Sequence, residues 1–249
     1  MNRNLKVRYI LPGGQQFVDF LIQNVTLELF FVQAYPALQN LIDGSKLNDC
    51  SRVVEGLTSL TQWVQELEIL GKEFHHIMQP DMFFQNIMLF LKGFNETCDL
   101  PDGITYEGVT DRPRRKVMNP AASQSVMLQI IDHLLRVEYS VEQQKYFQQQ
   151  RESWPANFRQ FYQFIHSCPG NIREMARNGG HQELAQAYDE LLTALQHFRS
   201  IHVQLVTKFV LIPNRRWQQG TSSTEPDPLA GMLSSLKGIR NSTATSKLQ

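Results

Sequence analysis

Residues 184–209 read LAQAYDELLTALQHFRSIHVQLVTKF. Eight of these residues follow alternating spacings of four and three: Leu184, Tyr188, Leu191, Leu195, Phe198, His202, Leu205 and Phe209. This spacing places the eight side chains along one side of an α-helix, which gains stability by burying that side against other helices. We call the row of eight residues the seam. Its helix is predicted to end before Pro213, because the residue preceding a proline disfavours the helical conformation.

The rest of the chain repeats apolar spacings of three and four, and no window alternates apolar and polar residues for long. The predicted fold class is therefore all-α, a multi-helix domain whose long C-terminal helix carries the seam. Pro36 is expected to end the first helix. Ser140 with Gln143, and Asn171 with Glu174, have the spacing of capping pairs. The helices before the seam are predicted at about 15–35, 57–74, 80–91, 123–137, 141–150, 155–166 and from 172 onward.

Two segments lack this helical pattern. Residues 95–120 are rich in proline, glycine and charge, and they form a longer connection than compact domains usually contain, which is typical of functional loops. Residues after Gln218 are rich in serine, threonine and other small polar types. We expect this end to be a flexible tail with one helical turn near residues 232–239. The predicted organisation is one helical domain over 1–217 and a tail over 218–249.

Composition limits the kinds of partner. Lysine plus arginine total 24 and aspartate plus glutamate also total 24, so there is no excess positive charge to hold nucleic acid or an anionic membrane. We expect the most apolar segments to be shorter than the roughly 20 residues that a membrane span needs. Cys50, Cys98 and Cys168 stand far apart with no CxxC pair, as in a reduced, cytoplasmic protein. We therefore expect a small or apolar partner, no nucleic acid and no membrane; the oligomeric state is left open.

His202 is the polar exception on the seam, and a buried imidazole requires a partner. One interpretation is a core histidine that bonds a carbonyl or carboxylate, and spacing alone favours this structural role. The other interpretation is a metal ligand. The remaining histidines form no HxxxH or HExxH arrangement, which argues against zinc. Haem iron needs only one protein ligand, because the porphyrin supplies four nitrogens. No GxSxG motif or glycine-rich phosphate loop is present, so hydrolase and nucleotide-binding functions are not indicated.

The seam also carries a family resemblance. Residues 187–189 (AYD) and 198–213 (FRSIHVQLVTKFVLIP) closely resemble the proximal-histidine helix of indoleamine 2,3-dioxygenases. Three further segments resemble the loop that leads to the haem pocket, the distal small-residue segment and a pocket helix: 100–108 (LPDGITYEG), 121–125 (AASQS), and 83–84 (FF) before 91–94 (LKGF). The similarity is collinear from about residue 17 to residue 213, and it favours the haem interpretation of His202.

The resemblance implies the chemistry as well as the fold. It implies a haem b cofactor, with dioxygen and a small indole substrate as partners, and delivery of both oxygen atoms across the C2–C3 bond of the indole. His202 matches the axial ligand of the haem iron. Asp132 and Arg199 match a paired acid and base behind the haem. We therefore predict that these two side chains are buried and lie within ion-pair reach.

The resemblance also implies which residues lie near the bound oxygen, substrate and haem. Ala121 and Ala122, with Ser123 next to them, match a segment close to bound oxygen and substrate. Phe20 and Phe83 match aromatic residues of the substrate pocket, and Asn24 takes a place usually held by a serine. Met88 stands where family enzymes have the arginine that holds the substrate carboxylate. The basic run at 112–116 is interpreted as a solvated loop, with contact to a haem propionate as the alternative.

Two more departures from the family concern whole segments. The chain lacks most of the family's smaller N-terminal domain, so it is expected to be a shortened relative or an incomplete chain. Residues 224–229 (TEPDPL) replace a glycine-rich substrate-capping loop, although 236–240 (LKGIR) still looks related. The leading functional hypothesis is a haem-dependent dioxygenase-like protein that cleaves an indole ring. The alternatives are a non-catalytic haem- and oxygen-binding relative, and a haem enzyme of secondary metabolism that acts on a modified tryptophan.

Overall fold

The computed structural model describes residues 4–91, 93, 102–109, 124–178, 180–220 and 229–248, and these form an all-α fold as predicted. The helices are α1 (Gly14–Phe30), α2 (Tyr35–Leu47), α3 (Cys50–Lys72), α4 (Phe74–Ile77), α5 (Pro80–Met82), α6 (Met88–Leu91), α7 (Val126–Leu134), α8 (Val141–Glu152), α9 (Ala156–Ser167), α10 (Ile172–Asn178), α11 (Gln182–Val206), α12 (Ile212–Gly220) and α13 (Ala230–Thr245). A 3-10 turn, Phe31–Ala34, joins α1 to α2, and π-helical turns occupy Phe83–Ile87 and Thr207–Leu211.

Capping residues fix several helix starts where the sequence predicted them. The Ser140 hydroxyl accepts a hydrogen bond from the Gln143 N–H, and the Gln143 side chain accepts one from the Ser140 N–H, which completes a capping box. The Asn171 side chain accepts from the Glu174 N–H at 3.2 Å. Pro80 is the first residue of α5, a position where its missing N–H costs nothing.

α1 and α11 end before Pro36 and Pro213, as predicted, but the helical path continues through both prolines. Pro36 lies in the first turn of α2, directly after the 3-10 turn, so its missing N–H falls where a helix has no acceptor for it. Pro213 lies in the first turn of α12, directly after the π-helical turn Thr207–Leu211. The backbone changes its bonding register at that turn, which accommodates the proline without ending the helical path.

Because α1 continues into α2, the helical stretch Gly14–Leu47 reaches 34 residues and contains an 18-residue window with a mean hydropathy of 1.3. By length and composition this stretch is able to cross a membrane, so the expectation that no apolar segment reaches that length is wrong. Core helices of water-soluble proteins pass the same test. This stretch is anchored to α3, since Trp63 Nε1 donates to the Phe30 carbonyl at 3.1 Å and Gln23 Nε2 donates to the Leu70 carbonyl at 2.7 Å.

The larger core lies where α3 and α11 pack together, with α2 on the far side of α3. Its fully buried residues include Leu41, Leu57, Leu60 and the first half of the seam. The Tyr188 hydroxyl donates to the Leu135 carbonyl, which attaches the end of α7 to α11. A second apolar cluster joins α1, α4 and the two π-helical turns: Phe17, Phe74, Met78, Phe83, Ile87, Met88, Phe209 and Val210.

The end of the chain differs from the predicted tail. Residues 230–245 form the 16-residue helix α13, which packs against α11. Thr243 and Ser246 are buried, and the Leu248 N–H donates to Asp189 Oδ1 at 2.8 Å. The expectation of a loosely held tail with one helical turn is therefore wrong for this segment. Cys50 and Cys168 are free thiols, and Cys98 lies outside the described residues.

We predict that Gly56→Ala destabilises the protein, because an added methyl group at Gly56 meets Leu41 at 2.9 Å and the Ala37 carbonyl oxygen at 3.0 Å. Overpacking of this kind costs about 1–3 kcal/mol, which exceeds the roughly 1 kcal/mol that alanine adds to helix propensity. Gly71→Ala in the same helix is the control, since its methyl group meets Phe198 at an ordinary 3.5 Å. Urea unfolding measures both variants, and equal stability of the two would contradict this account of the α2–α3 contact.

Candidate functional site

Burial along the seam is not uniform. Leu184, Tyr188, Leu191 and Leu195 are 0% exposed and Phe209 is 2% exposed. Phe198, His202 and Leu205, which lie between these two groups, are only partly buried. This accessible part of the seam falls between the larger core and the second apolar cluster. It presents an imidazole flanked along the helix by an aromatic and an aliphatic side chain.

The His202 imidazole has no protein partner within the part of the chain that the structure describes, neither a hydrogen bond nor an ion pair nor a ring contact. Burial lowers the pKa of His202 to about 4, so the ring is neutral at pH 7. A neutral imidazole keeps one nitrogen lone pair that can bind a metal. Among the described residues, no carbonyl or carboxylate satisfies His202 in the way that the interpretation of a core histidine requires.

The ion pair predicted between Asp132 and Arg199 is present and buried. Arg199 Nη2 lies 2.6 Å from both carboxylate oxygens of Asp132, and the two side chains are 9% and 6% exposed. The Tyr139 hydroxyl donates to Asp132 Oδ2 at 2.7 Å, and Arg199 Nη1 donates to the Thr243 hydroxyl. The pair therefore joins α7, the α7–α8 connection and α13 to the helix that carries His202.

The buried positive charge of Arg199 is compensated by the groups around it. Burial opposes the charged form of Arg199, yet the Asp132 carboxylate and the Tyr139 oxygen outweigh it and hold the Arg199 pKa above its ordinary value. Burial, with the nearby Asp132 carboxylate, raises the pKa of Tyr139 well above its usual range, so Tyr139 keeps its proton and remains a donor. Removal of one partner would leave an uncompensated charge in the interior.

Three of the four predicted pocket residues meet in the second apolar cluster. The Phe20 and Phe83 rings lie 5.6 Å apart in an edge contact, and the Phe83 and Phe209 rings lie 5.8 Å apart. Met88 is buried in the same cluster. Asn24 is partly buried, and its amide donates to the Phe20 carbonyl at 2.7 Å. Phe209 therefore connects this cluster to the seam.

A family model described as indoleamine 2,3-dioxygenase matches residues 1–248. The chain belongs to the indoleamine 2,3-dioxygenase family. It is 27% identical over 243 residues to a protein named myoglobin from Haliotis madaka, covering 97% of this chain and 64% of that protein. It is 26% identical over 255 residues to human indoleamine 2,3-dioxygenase 2, covering 98% and 62%. It is 23% identical over 172 residues to a 6-hydroxytryptophan 2,3-dioxygenase from Fusarium equiseti, covering 68% and 42%. The chain thus spans less than two thirds of the length of these relatives.

Parts of the predicted site in this indoleamine 2,3-dioxygenase family member lie outside the described residues. They are Ala121, Ala122 and Ser123, the basic run at 112–116 and most of the segment that replaces the substrate-capping loop. Within the described residues, no group of three or more histidine, cysteine or acidic side chains is placed to hold a metal ion. The haem interpretation does not need such a group, since it uses His202 alone.

The sequence analysis missed Tyr139 and Thr243. A signal for the helix that carries Thr243 was present, because Met232, Leu236, Ile239 and Thr243 follow spacings of four, three and four. The polar composition around these residues outweighed it. Nothing in the local sequence marks Tyr139, whose partner lies seven residues earlier in the chain.

We predict that Asp132→Ala lowers the free energy of unfolding by about 3–5 kcal/mol, because it leaves the buried Arg199 charge unpaired. Asp81→Ala is the matched control, since Asp81 Oδ1 also lies within ion-pair distance of an arginine, 3.9 Å from Arg216 Nη1, but the two side chains are 66% and 68% exposed. An exposed pair of this kind contributes about 0–1 kcal/mol. Chemical denaturation compares the two variants. A loss for Asp132→Ala no larger than that for Asp81→Ala would contradict the buried pair.

Proposed function

We propose that the protein binds one b-type haem through His202 and acts as a haem-dependent dioxygenase-like protein that cleaves an indole ring. The observation that carries this proposal is the state of His202. It is neutral, partly accessible, without a protein partner among the described residues, and set in an apolar seam of a chain from this family. Structural histidines usually have a hydrogen-bond partner. A histidine that binds iron keeps one ring nitrogen available for the metal.

The residues around His202 fit a haem. Phe198 and Leu205 supply apolar contact area on either side of the imidazole, which suits a flat porphyrin face. When bound, the haem supplies the dioxygen chemistry that no amino-acid side chain provides. His202 would hold the iron, and the Asp132–Arg199 pair would fix the helix that holds His202. The protein would therefore contribute a positioned iron ligand and an apolar environment for the haem.

The second apolar cluster is the proposed substrate pocket. Phe20 and Phe83 would pack against the indole ring, and Asn24 would stand beside them on α1. Ala121, Ala122 and Ser123 are proposed, from the family resemblance, to lie close to oxygen and substrate. Met88 is an apolar side chain where the family resemblance implies an arginine, so the pocket offers no bidentate anchor for a carboxylate at this position. Oxygen and an uncharged or cationic indole are the proposed partners.

Two other functions have specific support. The similarity to a protein named myoglobin, together with Met88, favours a haem protein that binds oxygen without turning over an indole. The similarity to a 6-hydroxytryptophan 2,3-dioxygenase favours an enzyme that acts on a modified tryptophan. Oxygen consumption with a panel of indoles separates the oxygen-binding function from the two enzymatic ones, and product masses separate the enzymes. A cytoplasmic location and the absence of nucleic-acid and membrane partners remain predictions.

We predict that His202→Ala abolishes haem binding, because the iron loses its protein ligand. His197→Ala is the control, since His197 lies on the same helix but is exposed. The measurements are the Soret absorbance and the iron content of the purified proteins. Wild-type Soret absorbance and iron content in His202→Ala, with loss of both in another histidine variant, would contradict the assignment.

We predict that free L-tryptophan is a poor substrate compared with tryptamine. A carboxylate that enters an apolar pocket loses its hydration, and Met88 cannot compensate it. Charge-assisted hydrogen bonds contribute about 1.5–3 kcal/mol each, so kcat/KM for tryptophan should fall at least about tenfold below that for tryptamine.

Met88→Arg tests the cause of this preference and Met88→Leu is the volume-conserving control. The arginine variant should shift the ratio of the two kcat/KM values toward tryptophan, whereas the leucine variant should leave that ratio unchanged. Oxygen uptake under reducing conditions measures both substrates. Tryptophan turnover equal to that of tryptamine in the wild-type protein would show that the substrate site is elsewhere.

A further inference from the structure

Three separate elements converge on the guanidinium group of Arg199. Asp132 contacts it from α7, Tyr139 contacts it from the α7–α8 connection, and Thr243 contacts it from α13. Thr243 is 0% exposed. Its hydroxyl accepts from Arg199 Nη1 and donates to the Ile239 carbonyl at 3.2 Å, so both of its hydrogen-bonding roles are filled.

Because Arg199 lies close to His202 on the same helix, its contact with Thr243 also restrains the region around His202. Arg199 precedes His202 by three residues, so the two side chains leave neighbouring faces of the same helix. Asp132 fixes the Nη2 end of the guanidinium, and Thr243 fixes the Nη1 end. With both ends held, the guanidinium plane cannot turn about the Asp132 contact. The helix face next to His202 is then restrained from two sides.

Further polar contacts hold α13 in place beside α11. The Ser246 hydroxyl accepts from the Glu138 N–H at 3.3 Å, and the Leu248 N–H donates to Asp189 Oδ1 at 2.8 Å. Both contacts come from residues that follow Thr243 in the chain, and they reach the α7–α8 connection and the first half of α11. Thr243 therefore sits on a helix that is fixed relative to both members of the ion pair.

We propose that Thr243 is a positioning residue for the haem site, acting through Arg199 to set the orientation of His202. This proposal rests on the haem binding proposed above. Groups that hydrogen-bond a metal ligand from behind typically change metal affinity by about 10–100-fold when they are removed, and Thr243, which acts one contact further away, is expected at the lower end of this range. In this proposal, the C-terminal helix α13 supports the helix that carries the iron ligand His202.

The test compares Thr243→Val with two matched variants. Thr243→Ser keeps the hydroxyl, and Thr245→Val removes a hydroxyl from the exposed side of the same helix. The readouts are the haem dissociation constant and the iron–histidine stretching band of the ferrous protein in resonance Raman spectra. The second readout reports the orientation of the iron ligand, which a loss of stability alone does not move.

Thr243→Val is expected to weaken haem binding by about tenfold or more and to shift the iron–histidine band, while the other two variants match the wild type. A folded Thr243→Val with wild-type affinity and band position would overturn the positioning role. If that variant does not fold, Thr243→Ala removes the hydroxyl without adding an apolar group in its place, and an unshifted band in it would overturn the role equally. A wild-type protein that takes up no haem would overturn the proposed function itself, before any variant is compared.

Discussion

The buried ion pair between Arg199 and Asp132 is the constraint on which the arrangement of the C-terminal half depends. An arginine inside a protein loses its hydration, which costs several kcal/mol for an isolated ion. A buried arginine is therefore stable only when other groups pair with its charge. The Asp132 carboxylate, the Tyr139 hydroxyl and the Thr243 hydroxyl together satisfy this requirement. The need to compensate one charge therefore brings α7, the α7–α8 connection and α13 against the helix that carries His202.

The fold could be predicted where local chemistry decides it. The seam, the Ser140–Gln143 capping box and the start of α5 at Pro80 all follow from residues within a few positions of one another. The continuation of the helical path through Pro36 and Pro213 could not be predicted in the same way. There, a 3-10 turn and a π-helical turn change the backbone bonding register just before the proline, and the spacing of the apolar residues does not mark those turns.

The candidate site shows the same division between local and distant information. The seam singled out His202 as its polar exception, and the family resemblance implied its role as iron ligand; its lowered pKa and the lack of a partner among the described residues are compatible with that role. The clustering of Phe20 with Phe83 followed from the family resemblance. Thr243 was missed because its contact with Arg199 spans 44 residues and its segment is polar in composition. A contact of that sequence separation leaves no trace in local spacing.

The central claim is that the His202 imidazole is the protein ligand of a haem iron, and chemical rescue tests it most directly. His202→Gly removes the ring and leaves room for a free imidazole molecule. The account predicts that haem added to this variant gives no wild-type Soret band until imidazole is titrated in, and that the band then recovers in a saturable manner. Recovery of the full wild-type band without imidazole, or no recovery at any imidazole concentration in a folded variant, would contradict it.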